Sequence, residues 1–242
     1  MIDNIVALDL ETTGVSPDND RIIEIGMARI VDGKVVATYN QLIDPQITLS
    51  SRITEITGIT QLDLADKPTI EDVIDEVLSF IGDSVILGHN VKFDYSFLKV
   101  AASKNKKIVP NKVIDTLKIA RKLLITAPSK KLTFLCEYFG IDPGHSHRAF
   151  DDAISAYRVY EKLSAIAPEE ELINNPMEVS YSVKKESPIT PAQLRYLTAL
   201  CSQHNITLQK DINEFTKSEA SKTIDGILSN VGGYGKKQAS EI

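Results

Sequence analysis

The 242-residue sequence predicts an α/β fold: a mixed sheet that starts as a three-stranded antiparallel meander, helices flanking it, and a small C-terminal helical module. Three observations predict it. Three strand-like segments come first with no helical segment between them, as a meander requires and a βαβ unit does not. Helical and strand-like segments then alternate as far as about residue 166. Beyond that point the composition turns to Pro, Asn, Glu and Lys, and two further helical segments follow.

Residues 5–10 are mostly apolar and run into Thr12-Thr13-Gly14, a core strand ending in a turn. Residues 21–31 form the second strand. Asp32-Gly33 is a two-residue hairpin signal, and residues 34–43 return as the third strand. Residues 68–81 carry helical spacing, with Ile70, Val73, Ile74, Val77, Leu78 and Ile81 on one face. Thr69 caps that helix, with Asp72 three residues on. Residues 85–87 are a short buried strand, 94–103 a helix, and Val113-Ile114 another short strand. Helices follow at 115–124, 131–139 and 149–166. Thr190 caps a helix with Pro191 at its first position, reaching His204. Thr216, with Glu219 three residues on, starts a last helix over 217–228. The expected organisation is a main domain at 1–167, a linker at 168–188, a two-helix module at 189–231 and a flexible tail at 232–242.

A hydrophobic content of 43% supports a core of roughly 150 to 200 residues. No run approaches the roughly 18 apolar residues of a membrane span, and no secretion signal is visible. Cys136 and Cys201 lie far apart in apolar helical contexts, which suits reduced thiols in a cytoplasmic protein. The net charge of −6 argues against broad gripping of a duplex, because phosphate binders are usually basic. It leaves open an enzyme that holds a few terminal nucleotides and counts metal ligands among its acids.

Asp9 and Glu11 are two apart on the first strand, so both point to one face. Two carboxylates on one buried face repel each other unless they share a cation, and Mg²⁺ prefers such oxygen ligands. Thr12, Thr13 and Gly14 offer hydroxyls and backbone N–H groups beside the pair. Asp94 ends the run His89-Asn90-Val91-Lys92-Phe93-Asp94. Its alternative role is that of a helix N-cap. His147 lies five residues before Asp152 on the loop that enters the 149–166 helix, where an imidazole can take a proton. His145 and Asp151 are near-duplicates that compete for the same roles.

In combination, order and spacing, D-x-E-T-T-G, H-N-x-x-F-D and H-x-x-x-x-D resemble the DEDDh 3′→5′ exonucleases over about residues 1–167. The likeness extends to the proofreading epsilon subunit of bacterial DNA polymerase III and to the exonuclease of the Gram-positive replicative polymerase. Residues 21–26 and 56–59 also look like family segments. The resemblance implies an RNase H-like fold. It implies that Asp9, Glu11, Asp94 and Asp152 hold two divalent ions, Mg²⁺ or Mn²⁺, and that His147 is the general base. The family's five-residue spacing selects His147 with Asp152 over His145 and Asp151. Thr12, Thr13, Gly14, Thr57, Gly58 and Phe93 would line the place of the terminal nucleotide, and His89 and Asn90 would shape the pocket. Glu24 and Asp115 match family positions and are read as structural. The implied activity is stepwise release of nucleoside 5′-monophosphates from single-stranded DNA 3′ ends. An RNA-trimming exoribonuclease and a non-catalytic nucleic-acid or polymerase adaptor are the alternatives. A polymerase or a clamp is the expected partner class, and a membrane is not.

Overall fold

A computed structural model describes residues 2–144, 147–183, 187–208 and 210–237 of the chain, with side chains as far as residue 228. The chain divides into two compact units, Met1–Val183 and Lys184–Ile242.

The first unit is built on strand β1 (Asn4–Thr12). It pairs antiparallel with β2 (Ile22–Val31), which pairs antiparallel with the edge strand β3 (Lys34–Leu42). On its other side β1 pairs in parallel with β4 (Val85–Gly88), and β4 with β5 (Val113–Asp115). The sheet order is β3-β2-β1-β4-β5, so the meander lies on one side and the crossover strands on the other. The mixed sheet flanked by helices is the fold class expected from the sequence.

Alternation along β1 sorts its residues between two cores. Val6, Leu8 and Leu10 face one layer, with Ile25, Met27 and Ile86. That layer is covered by α3 (Ile70–Ile81) and α4 (Lys92–Lys104). Ile5 and Ala7 face the other, with Ala28, Ile30 and Leu87. Here lie α5 (Thr116–Leu123), α6 (Leu132–Phe139) and α7 (Ala149–Ile166). Both faces of β2 are covered, so seven consecutive residues from its start are buried. The small pair Ala7 and Ala28 is opposed across the strands, which lets α7 sit close to the sheet. Asp9 and Glu11 continue the Ile5–Ala7 face, so they point toward the layer of α7.

Thr69 and Asp72 form the expected capping box on α3. Two short helices, α1 (Ser51–Thr57) and α2 (Gln61–Leu64), stand where the sequence showed no element. Helices of seven and four residues are below the length at which periodicity is readable. They are fixed by local caps and by Ile59 and Leu64, which pack with Ile23.

The first half of the expected linker at 168–188 carries local structure. Residues 171–174 form helix α8 (Glu171–Asn174), with Ile173 fully buried beneath it. Met177 then exchanges two backbone hydrogen bonds of 2.8 Å with Val113, extending the sheet beyond β5. The polar residues around Ile173 and Met177 hid these anchors, since a few well-placed apolar side chains suffice to dock a strap.

The second unit holds α9 (Pro191–His204), capped by Thr190, and α10 (Lys217–Lys237). Leu197, Leu200, Phe215, Ala220, Ile224 and Ile227 make its small core. Helix α10 continues past residue 228 into the expected flexible tail. Once a helix is nucleated, each added residue brings its own hydrogen bond, so glycines lower its stability without stopping it. The last five tail positions, 238–242, lie outside the described residues. No helix among the described residues is long and apolar enough to cross a membrane.

Candidate active site

The acids gather at the open end of β1. The β1–β4 pairing extends only from Ile5–Ala7 to Val85–Leu87. At Gly88 a Cβ would stand 2.9 Å from the Leu8 carbonyl oxygen, so the absence of a side chain lets β4 lie this close to β1 where the pairing ends. The Leu10 N–H, beyond the reach of β4, donates instead to Asp94 Oδ1 at 3.0 Å. The Asp94 carboxylate takes the place of a strand partner. Asp94 is therefore not the N-cap of α4, which is Val91; it is the third residue of that helix and is buried.

From the other layer, the first turn of α7 brings Asp152. The residue before the helix cap, His147, is held in the left-handed region at φ 63°, and its N–H donates to Asp152 Oδ2 at 3.1 Å. Glu11, His147 and Asp152 offer ligand atoms that all lie within 4.8 Å of one another. Asp151 points elsewhere, since its carboxyl lies 2.9 Å from the position of a Cβ on Gly144. His145 lies outside the described residues.

The electrostatics follow from this crowding. Burial pushes Asp9 well above the usual carboxylate range, and Asp94, Asp152, Glu11 and Glu24 push it further. Burial, Asp152 and Glu24 raise Glu11 to about 7, against a smaller lowering by Arg148. Asp94 is pushed up to about 8, by burial first, although its backbone hydrogen bonds oppose the shift. Asp152 is raised by burial, partly offset by His147. Carboxylates that disfavour one another's charge, with an imidazole beside them, fit a hard divalent cation as the missing counter-charge.

The metal-free protein should lose stability as pH rises through this range. The unfolded acids ionise near pH 4, while the folded ones keep their protons to about pH 7 or 8. Between those limits the folded state binds more protons, so deprotonation favours unfolding. The capping acids Asp63 and Asp72 are shifted down and act only below that window. In EDTA the melting temperature is expected to fall between about pH 5 and pH 8, with the gain from added Mg²⁺ largest at pH 8. A thermal melt series that rises over this interval would refute the assignment.

The other sequence-predicted residues divide. Thr12 and Thr13 fold the turn after Glu11: Thr12 Oγ1 donates to the Gly14 carbonyl at 2.7 Å, and Thr13 Oγ1 accepts from the Arg21 N–H at 2.9 Å. The Phe93 ring is half-buried beside Asp94 and packs on Phe97 at 5.0 Å. Asn90 is exposed at φ 67°, and its N–H is held by Asp115. Both His89 nitrogens are engaged by protein, Nδ1 with Thr116 Oγ1 at 2.9 Å and Nε2 with the Lys130 carbonyl at 2.8 Å. That imidazole braces two loops. Thr57 and Gly58 close the C-terminal end of α1: Thr57 Oγ1 donates to the Ile53 carbonyl, and the Gly58 N–H to that of Thr54.

Glu24 was read from the sequence as structural, and Arg148 was not singled out; the structure brings both to the edge of the site. Glu24 lies opposite Glu11 across β1 and β2, fully buried, and accepts from the Arg148 guanidinium and the Ala149 N–H. A lone acid inside the apolar run Ile22-Ile23-Glu24-Ile25 was the available signal, because a buried charge needs a partner.

A mixed sheet whose central strand ends among converging carboxylates is the architecture of a nuclease. An exonuclease family model, RNase_T, matches residues 6–160, and the chain belongs to that family. Over 158 residues it is 41% identical to a PolC-type DNA polymerase III of Caldanaerobacter subterraneus, covering 65% of this chain and 11% of that protein. It is 31% identical over 237 residues to the PolC-type DNA polymerase III of Bacillus subtilis, covering 92% and 16% respectively. The chain thus spans a small fraction of these relatives' length. Among solved structures, the nuclease domain of 3′hExo, a DEDDh family member bound to rAMP, superposes with a TM-score of 0.61 at 21% identity, covering 75% of this chain and 98% of that one. Exonuclease X in complex with 5′ overhanging duplex DNA gives 0.54 at 27% identity, covering 69% and 94%.

Proposed function

We propose that this chain is a metal-dependent 3′→5′ exonuclease that releases nucleoside 5′-monophosphates from single-stranded DNA 3′ ends, in the manner of a proofreading enzyme. The observation that carries this reading is the gathering of Glu11, His147 and Asp152 within 4.8 Å at the end of β1, beside Asp9 and with Asp94 bonded to Leu10. The preference for DNA is supported by the relatives, which are DNA polymerases.

Asp9, Glu11, Asp94 and Asp152 would hold two divalent ions, Mg²⁺ or Mn²⁺. Such ions supply a water of lowered pKa and charge stabilisation at the leaving 3′ oxygen. His147 is exposed on a turn at the mouth of the cluster and would accept the proton of the attacking water. The Thr12–Gly14 turn would seat the terminal sugar, and the Phe93 ring would pack against the nucleotide. Among the described residues, Glu11, His147 and Asp152 all belong to the first unit; the second unit is assigned no step in hydrolysis, and a polymerase or a clamp is the partner class this reading expects.

The test is a gel assay on 5′-labelled single strands of DNA and RNA of equal sequence, with Mg²⁺, Mn²⁺ or EDTA. Metal-dependent shortening of DNA, faster than of RNA and lost in His147→Ala, is the expected result. Faster shortening of RNA would make it an exoribonuclease. No shortening of either by the folded protein would leave a nucleic-acid or polymerase adaptor.

A further inference from the structure

We propose that Glu24 and Arg148 are positioning residues, whose ion pair holds the 147–149 turn so that His147 and Asp152 stand beside Glu11. The inference rests on the proposed hydrolysis, and goes beyond it in assigning a task to two residues outside the metal-ligand set.

The pair is built with more care than a surface salt bridge needs. Arg148 Nη2 donates to Glu24 Oε1 at 2.8 Å, and Nε to Oε1 and Oε2 at 3.1 and 3.3 Å. The Ala149 N–H, at the first turn of α7, donates to Oε2 at 3.1 Å. Both carboxylate oxygens are thus occupied, and the Glu24 side chain is 0% exposed. Because Glu24 sits opposite Glu11, it is a further buried acid next to the cluster. Arg148 removes it from the metal-ligand set by engaging every oxygen it has.

The same bonds fix the chain. Arg148 and Ala149 are the two residues after His147, and their anchor lies on a sheet strand 124 residues away. His147 is held at φ 63°, a conformation disfavoured for a side-chain-bearing residue, which therefore needs support from its surroundings. That support comes from Asp152 on one side and the Glu24 pair on the other. The two-pronged guanidinium fork sets direction as well as distance, which a lysine cannot do.

Removing one partner alone would leave a buried charge unpaired and unfold the site for an uninformative reason. The informative variant is Glu24→Gln with Arg148→Met, in which no buried charge remains and the introduced amide oxygen can still accept from the Ala149 N–H. Arg148→Lys, which keeps Glu24 neutralised but loses the fork, is the second variant should the first not fold. Two readouts are taken on the full chain. In EDTA, without substrate, hydrogen exchange of the His147 amide should be about tenfold or more faster than in wild type. With Mg²⁺ and a single-stranded oligodeoxynucleotide, kcat should fall by roughly 10- to 100-fold while KM stays near wild type, as misplacement of a reacting group predicts, and Mg²⁺ affinity should fall with it because Asp152 is one of the proposed ligands. Unchanged exchange, or unchanged kcat, in a folded variant overturns the proposal. If wild type releases no nucleotides, the functional reading fails, and the exchange result alone decides whether the clamp exists.

Discussion

Asp94→Asn is expected to reduce metal-dependent hydrolysis by roughly a thousandfold while leaving the metal-free protein at least as stable as wild type at pH 8. Several kcal/mol of charge stabilisation depend on each correctly held ion, and about 4 kcal/mol is a thousandfold in rate. Stability moves differently because Asp94 has two separable tasks. Its Oδ1 caps the end of β1 by accepting from Leu10, and the amide oxygen of asparagine can do the same. Its charge, in contrast, is opposed by burial and by Glu11, so removing it relieves the folded state. Asp94→Ala should part from Asp94→Asn here. It leaves the buried Leu10 N–H without an acceptor and should cost about 1–3 kcal/mol. Melting curves in EDTA beside the nucleotide-release assay separate these effects. Near wild-type turnover in Asp94→Asn would sink the assignment of this carboxylate to the metal site.

That double task explains what the sequence could and could not disclose. Period-2 spacing placed Asp9 and Glu11 on one face of a strand, and the structure puts that face toward α7. The position of Asp94 near the start of a helix was legible too, with an N-cap as its alternative role beside the metal-ligand one that the resemblance implied. Its bond to Leu10, across 84 residues, exists because β4 stops pairing at Leu87. No local pattern encodes where a neighbouring strand leaves off. His145 and Asp151 competed with His147 and Asp152 on the residues alone; the family spacing chose between them, and the geometry brings His147 and Asp152 to Glu11. The short helices α1, α2 and α8 escaped because each holds together through a cap and one or two buried side chains. The Glu24–Arg148 pair escaped because it joins two segments whose proximity is a property of the whole sheet.

Gly26→Ala tests whether that long-range fit governs the chemistry, and it is expected to lower kcat by about a hundredfold. A Cβ at residue 26 would stand 2.1 Å from the Phe150 nitrogen and 2.2 Å from the Ala149 carbonyl carbon. These are backbone atoms, so no side chain can rotate out of the way, and the first turn of α7 must move. That turn carries Asp152, follows His147 and hangs by its Ala149 N–H on Glu24. A displacement of about 1 Å at reacting groups costs on the order of a hundredfold in rate. Overpacking adds about 1–3 kcal/mol of destabilisation, or several degrees in Tm for a domain of this size. Gly140→Ala is the control. It sits at φ 64° after α6 with nothing within 4 Å of its Cβ, so it carries backbone strain without a clash. It should lose about 1–2 kcal/mol and keep its turnover per folded molecule. Were the two variants to lose stability equally and both keep full turnover, α7 would have room to shift without consequence. The close packing of that helix on β2 would then serve the fold alone and not the placement of His147 and Asp152.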